Sequence, residues 1–281
     1  ALIAENFEPH LIGRLTSVAA IGGQVGAIFA AIMAAYIIPN FGWNALFLLG
    51  IIPVILTFFI RRHVHESQEF IVAHKKTIAN HQRISISRLF ATPRLALQTL
   101  GLMVMTIVQI AGYFGLMNWL PSIVQKQQGL SVSGSSIWMI ATIIGMSIGM
   151  MVFGTVMDNW GPRWAFGIFL LGSATVMFTI LMVQSSIALI LAGALIGFFS
   201  NGMFGGYGAV ISQLYPTAIR STANSIIMNV GRAIGGFSSV VIGLLMDHYS
   251  LGVTMGFLSA LYILSFIVMS SLPGMRKLAN H

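Results

Sequence analysis

The stretch NSIIMNVGRAIGGFSSVVIGLLMD, residues 224–247, is apolar or small at nearly every position yet carries an arginine, Arg232, near its middle. At least 18 mostly apolar residues are enough for a helix to cross a hydrocarbon layer of about 30 Å. A guanidinium at the centre of such a span costs about 2.5–3.5 kcal/mol on insertion scales, so a central arginine faces protein or water rather than lipid. The chain around it is built alike. Of its 281 residues, 57% are hydrophobic and 7% charged, against about 25% charged in soluble domains. Eight apolar spans are predicted, at about 15–38, 43–60, 95–120, 134–157, 164–183, 186–211, 221–246 and 251–272.

A formal charge of +8 could suggest nucleic acid as a partner, but the placement of the cations excludes that reading. Of the 14 Lys and Arg, half lie between 61 and 94: Arg61, Arg62, Lys75, Lys76, Arg83, Arg88 and Arg94. If the spans alternate in direction, Arg14, Arg163, Arg220, Arg276 and Lys277 fall on the same side, and only Lys126 falls opposite. That is the positive-inside pattern, which places both ends of the chain and the 61–94 segment in the cytoplasm. Cysteine is absent, which removes disulfides and thiolate metal sites from consideration. The start, ALIAENFEP, has neither a secretory signal nor an initiator methionine, and is read as continuing from an upstream part.

The polar interval 61–94 divides the spans two and six, giving units at 1–61, 62–94 and 95–281. An internal repeat relates AENFEPHLIGRLTSVAAIGG to SQLYPTAIRSTANSIIMNVG: aromatic and proline, then arginine, then a helix rich in small residues. Transporter folds are often built from such repeats. By this match the two spans before the interval are the last two helices of one bundle, and the six after it form a second, complete bundle.

Around Arg232, helical spacing aligns Ser221, Ser225, Asn229, Gly235, Gly236 and Ser239 in one small, polar stripe. A guanidinium presents paired planar donors that match a carboxylate, and small neighbours leave room for one. Arg220 marks the start of this span, and twelve residues at about 1.5 Å each put Arg232 roughly 18 Å deeper. The stripe therefore predicts an organic-anion site anchored by Arg232. The alternative is that Arg232 bonds helix-end carbonyls or pairs with an acid elsewhere in the protein, while Gly235 and Gly236 pack helices. Gln24, Gln109, Tyr113, Asn201 and Tyr207 are the other intramembrane polar candidates for the cavity, each also able to serve as an interhelical hydrogen-bonding group. Trp119, beside Pro121, reads as an interfacial anchor.

Four passages resemble the major facilitator superfamily. GTVMDNWGPR at 154–163 matches the superfamily signature G-x-x-x-D-x-x-G-R-[RK] through Gly154, Asp158, Gly161 and Arg163, departing from it at Asn159 and Pro162. GWNALFLLGIIPVILTFFIRRHVHESQEF at 42–70 is similar to the sixth helix and exit of the metabolite and sialate:proton symporters. GYFGLMNWLPSIVQKQQGLSVSGSS is similar to their seventh helix, and SQLYPTAIRSTANSIIMNVGRAIGG to their tenth-to-eleventh junction, with Gln213 replacing the usual glutamate. The resemblance implies an all-α membrane protein of the major facilitator fold, with eight of its transmembrane helices here and four upstream. It implies a monomer in a bacterial inner membrane importing a small organic acid together with protons. None of the six acidic residues lies deep in a span, so the proton carrier is expected in the upstream helices. Uniport or export of a sugar or zwitterion, and a non-transporting scaffold or sensor, remain as alternatives.

At the rim, Asp158 ends span four while Arg14 and Arg220 begin spans one and seven. An acid set against another helix's N-terminus gains dipole stabilisation as well as ion pairing. The resemblance implies that Asp158 meets the start of span one near Arg14, with Glu5 joining and Arg163 and Arg220 completing a gating set. GMSIG at 145–149 fits a hydrolase-elbow pattern, but that chemistry needs a strand-to-helix turn. Within an apolar span, Gly145 and Gly149 read as helix-packing residues, and the chain is not read as an enzyme. His63, His65, Glu66 and Glu69 lie in a basic segment that disfavours a metal. No cofactor is expected.

Overall fold

A computed structural model describes residues 11–51, 57–58, 86–128, 132–183, 185–272 and 274–275. These form helices α1 (Ile12–Leu49), α2 (Pro93–Gln128), α3 (Val132–Trp160), α4 (Pro162–Val176), α5 (Thr179–Met182), α6 (Ser186–Gly202), α7 (Phe204–Leu214), α8 (Thr217–Gly235), α9 (Ser238–His248) and α10 (Leu251–Ser271), with a short 3-10 turn at Ile86–Phe90. Among the described residues, 6 stretches are long and apolar enough to cross a membrane: Pro93–Gly115, Trp138–Trp160, Pro162–Met182, Ser186–Leu214, Thr217–His248 and Leu251–Ser271. They coincide with the last six spans predicted from sequence.

The first two spans differ from expectation. In place of two helices parted near Pro39 and Gly42, α1 runs unbroken for 38 residues, about 57 Å at 1.5 Å per residue. Helices within apolar runs tolerate Pro and Gly because neighbouring groups re-satisfy the backbone, and the runs on either side of Pro39 are rich in Ala, Ile and Leu. The eight separate spans are therefore not seen among the described residues. Most of the 62–94 segment, including His63, His65, Glu66 and Glu69, lies outside them.

The helices show lipid-facing and protein-facing sides. On α6, Ile187, Leu191 and Leu195 are exposed, whereas Leu189, Ala192, Ile196 and Ser200 are buried. The buried side meets α3 along a seam of small residues. A Cβ added at Gly145 would overlap the Ala194 carbonyl, one at Gly149 the Phe198 carbonyl, and one at Gly197 the Thr142 carbonyl. Small residues allow such backbone approach between membrane helices, where dispersion rather than apolar burial holds them together. The GMSIG motif thus packs one helix on another. Phe153 meets Phe166 and Phe169 edge-to-face at centroid distances of 4.9 and 5.1 Å, and Phe166 meets Tyr207 at 4.9 Å, which fills the bundle centre.

Three of the six spans are interrupted by a turn, the first of them between α4 and α5 at Met177 and Phe178. The chain passes from α6 to α7 through Met203, and from α8 to α9 through Gly236 and Phe237. The last of these breaks comes one helical turn after Arg232, whose carbonyl accepts the Gly236 N–H at 3.0 Å.

Candidate functional site

α1 does not pack flush on the bundle along its whole length. A cavity of about 700 Å³ opens between it and α2, α6, α8 and α9, walled by Gln24, Tyr113, Asn201, Arg232 and Ser239 among polar residues and by Ile110, Phe114 and Phe204 among apolar ones. A second cavity, about 380 Å³, lies towards the start of α1 and is lined by Thr16, Phe204, Asn224, Ser225, Asn229 and Arg232. Arg232 and Phe204 belong to both walls.

Helical geometry explains why the stripe meets the cavities. Ser225, Asn229, Arg232, Gly236 and Ser239 all line one or the other. Gly235 does not: a Cβ there would crowd the Ile107 carbonyl and Ile110 side chain of α2, so that glycine lets α8 approach α2. Arg232 sits in the last turn of α8, where the negative end of the helix dipole favours a cation. Among the described residues its guanidinium makes no hydrogen bond or ion pair, and it is exposed towards the cavity side. Neither helix-end carbonyls nor an acid of these elements holds it.

The other candidates divide. Gln24 and Tyr113 line the larger cavity, and Tyr113 meets Phe114 edge-to-face at 5.6 Å. Asn201 contributes to the same wall although nearly all of it is buried. Its Nδ2 donates to Met146 Sδ at 3.4 Å, and its Oδ1 accepts from Gln109 Nε2 at 3.1 Å. Gln109 also donates to the Ser200 carbonyl at 2.9 Å, and the fully buried Tyr207 hydroxyl donates to the Met105 carbonyl at 3.2 Å. Gln109 and Tyr207 therefore join α2 to α6 and α7 inside the bundle and line neither cavity. Trp119 likewise donates to the Ser239 carbonyl at 2.7 Å, tying α2 to the start of α9.

Two cavity residues escape the stripe pattern. Asn224 stands at the wall of the smaller cavity with a buried Oδ1 that has no hydrogen-bond partner among the described residues. It lies eight residues before Arg232, two steps of four, and that spacing is its sequence signal. Phe204 is supplied by the turn at Met203, which no periodicity announces.

At the end of the bundle nearer the smaller cavity, Asp158 closes α3 against the start of α1. Its Oδ1 accepts the Gly13 N–H at 2.8 Å and its Oδ2 the Arg14 N–H at 2.9 Å. The Arg14 side chain stands farther off, with Nε 3.9 Å from Oδ2 and about half exposed. The carboxylate thus caps a helix N-terminus across the cleft. Gly154 and Gly13 make the approach possible, since a Cβ on either would meet the other helix's backbone. Arg220 is held separately, Nε donating to the Tyr215 carbonyl at 3.4 Å. Burial pushes the Tyr215 phenol above its ordinary range, opposed by its 2.7 Å hydrogen bond with Thr99. Arg163 is not brought to Asp158 and lines a different groove. Glu5 lies outside the described residues.

A helical membrane bundle with a polar cavity against a separate helix is the architecture of a transporter. The chain belongs to the Major Facilitator Superfamily, whose family model matches residues 1–149 and 102–277. It is 35% identical over 273 residues to a Haemophilus influenzae protein named for metabolite transport, covering 95% of this chain and 67% of that one. It is 30% identical over 287 residues to a Cupriavidus pinatubonensis protein named for 4-methylmuconolactone transport, covering 99% and 65%. The cis,cis-muconate transport protein of Acinetobacter baylyi is 26% identical over 251 residues, covering 88% and 60%. The fold is that of the proton:xylose symporter XylE, with a TM-score of 0.79 at 19% identity over 96% of this chain and 66% of that one. The chain thus spans about two thirds of the length of the relatives it matches.

Proposed function

We propose that the protein carries a small, flat organic carboxylate across the membrane by alternating access, coupled to protons, with Arg232 as the anion anchor. One observation carries this reading: Arg232, without a partner among the described residues, lines both cavities between α1 and the bundle. Gln24, Asn229 and Ser239 supply neutral hydrogen-bonding groups around it. Tyr113, Phe114 and Phe204 offer ring faces that suit an unsaturated or aromatic carbon skeleton. The name of the muconate relative supports the same chemistry. Asp158, with the first turn of α1, is the proposed gate, and residues 1–61 the part of the first bundle that moves against 95–281. The lysine and arginine asymmetry assigns both ends of the chain to the cytoplasmic face, and the bacterial relatives support an inner membrane.

The test is uptake of labelled cis,cis-muconate and benzoate by the complete protein in proteoliposomes, with and without an inward proton gradient. A charge-assisted hydrogen bond is worth about 1.5–3 kcal/mol, so Arg232→Gln is expected to lower uptake kcat/KM by about 10- to 100-fold. Arg232→Lys keeps the charge but loses the planar fork, and is expected to fall between. Uptake by Arg232→Gln with wild-type kinetics would overturn the anchor.

A further inference from the structure

Arg163 opens a second site, on the outer side of the bundle away from α1. Between α4 and α10 lies a groove of about 490 Å³, with Arg163 and Trp164 at one end, Gly167 and Leu171 along one wall, and Phe266 and Met269 along the other. We propose that this groove seats an anionic phospholipid, with Arg163 holding the phosphate and an acyl chain lying along Gly167, Leu171 and Phe266.

Three observations favour that occupant over a soluble anion. Arg163 is a partly exposed cation that makes no hydrogen bond or ion pair with a described residue, although Asp158 is only five positions away. The first turn of α4 has no side-chain cap, so its N–H groups add positive potential beside the guanidinium. Trp160 and Trp164 are 61% and 65% exposed, as tryptophans are where a span leaves the hydrocarbon for the headgroup layer. Apart from Arg163, Trp164 and Ser270 the lining is apolar, and Arg163 to Leu171 covers eight residues, about 12 Å, which accommodates the upper part of an acyl chain. A Cβ at Gly167 would stand 3.7 Å from Met269 and Phe266, in ordinary contact with both, so a side chain longer than a methyl there would fill the floor.

The site is tested with the complete protein purified in mild detergent, measuring retained lipid by native mass spectrometry after exchange into equal phosphatidylglycerol and phosphatidylcholine. Wild type is expected to retain phosphatidylglycerol in preference, and Arg163→Gln to lose about fivefold of that preference, the share of one interfacial cation. Gly167→Leu keeps the charge but fills the groove, and is expected to lose lipid of both kinds. Arg94→Gln, an exposed arginine outside the groove, serves as the control and is expected to retain lipid as wild type does. Equal retention by wild type, Arg163→Gln and Gly167→Leu overturns the proposal. So does loss in Arg163→Gln with full retention in Gly167→Leu, which would mean surface charge alone, and so does displacement of the lipid by inorganic phosphate at matched concentration.

Discussion

Asp158 satisfies the Gly13 and Arg14 N–H groups at 2.8 and 2.9 Å, while the Arg14 side chain reaches it only at 3.9 Å. The magnitudes separate these interactions. An ion pair with one partner about half exposed contributes at most about 1 kcal/mol, whereas the Gly13 N–H contact is part-buried, and leaving such a donor without its acceptor costs about 1 kcal/mol or more. Asp158→Ala should therefore shift the protein away from the state in which α1 and α3 touch, and Arg14→Gln should hardly move it. Labelling of single cysteines introduced on the two sides of the membrane reports the shift; equal effects of the two substitutions would assign the contact to the side chains. The pairing of Asp158 with the start of α1 was legible from the signature at 154–163, but its use of backbone donors was not, because a sequence shows charges and hides N–H groups. For the same reason Gln109 and Tyr207 read as cavity residues: a polar side chain in an apolar span looks the same whether it faces a solute or a neighbouring carbonyl.

The seam between α3 and α6 depends on glycines spaced by four. A methyl at Gly149 would overlap the Phe198 carbonyl, which cannot swing aside as a side chain can, whereas Gly256 on α10 has nothing within 4 Å of the position a Cβ would take. Overpacking of this kind costs about 1–3 kcal/mol. Gly149→Ala is thus expected to lower the thermal midpoint of the detergent-solubilised protein, and Gly256→Ala to leave it unchanged; equal midpoints for both would show that the seam tolerates a methyl. The six spans after residue 93 were legible because an apolar run of the right length admits only a helix in lipid. Their internal breaks at Met203 and Gly236 were not, since these turns come from packing against other helices, and they are what bring Phe204 and Ser239 to the cavity.

On the scale of the whole molecule, α1 touches α3 and α7 near its start and leaves a cavity farther along, as expected if two bundles rock about a central site. These 281 residues contain no cysteine, so an introduced pair has no competing thiol within them. Ser17→Cys with Gly154→Cys joins positions in direct contact, a Cβ at Gly154 falling 2.7 Å from Ser17 Oγ and 2.8 Å from the Gly13 carbonyl, so α1 shifts slightly outward as the disulfide forms. Oxidation is expected to arrest uptake and reduction to restore it; undiminished uptake by the cross-linked protein would end the rocking mechanism. Membrane class, the six spans and the helical stripe bearing Arg232 were determined by the sequence alone, because hydropathy and a 3.6-residue period are properties of short stretches of chain. Which polar groups face a solute and which hold helices together, the unbroken course of α1 and the separation of Arg163 from Asp158 were decided only by tertiary structure. Each depends on what stands across from a side chain, and residues far apart in the sequence supply that neighbour.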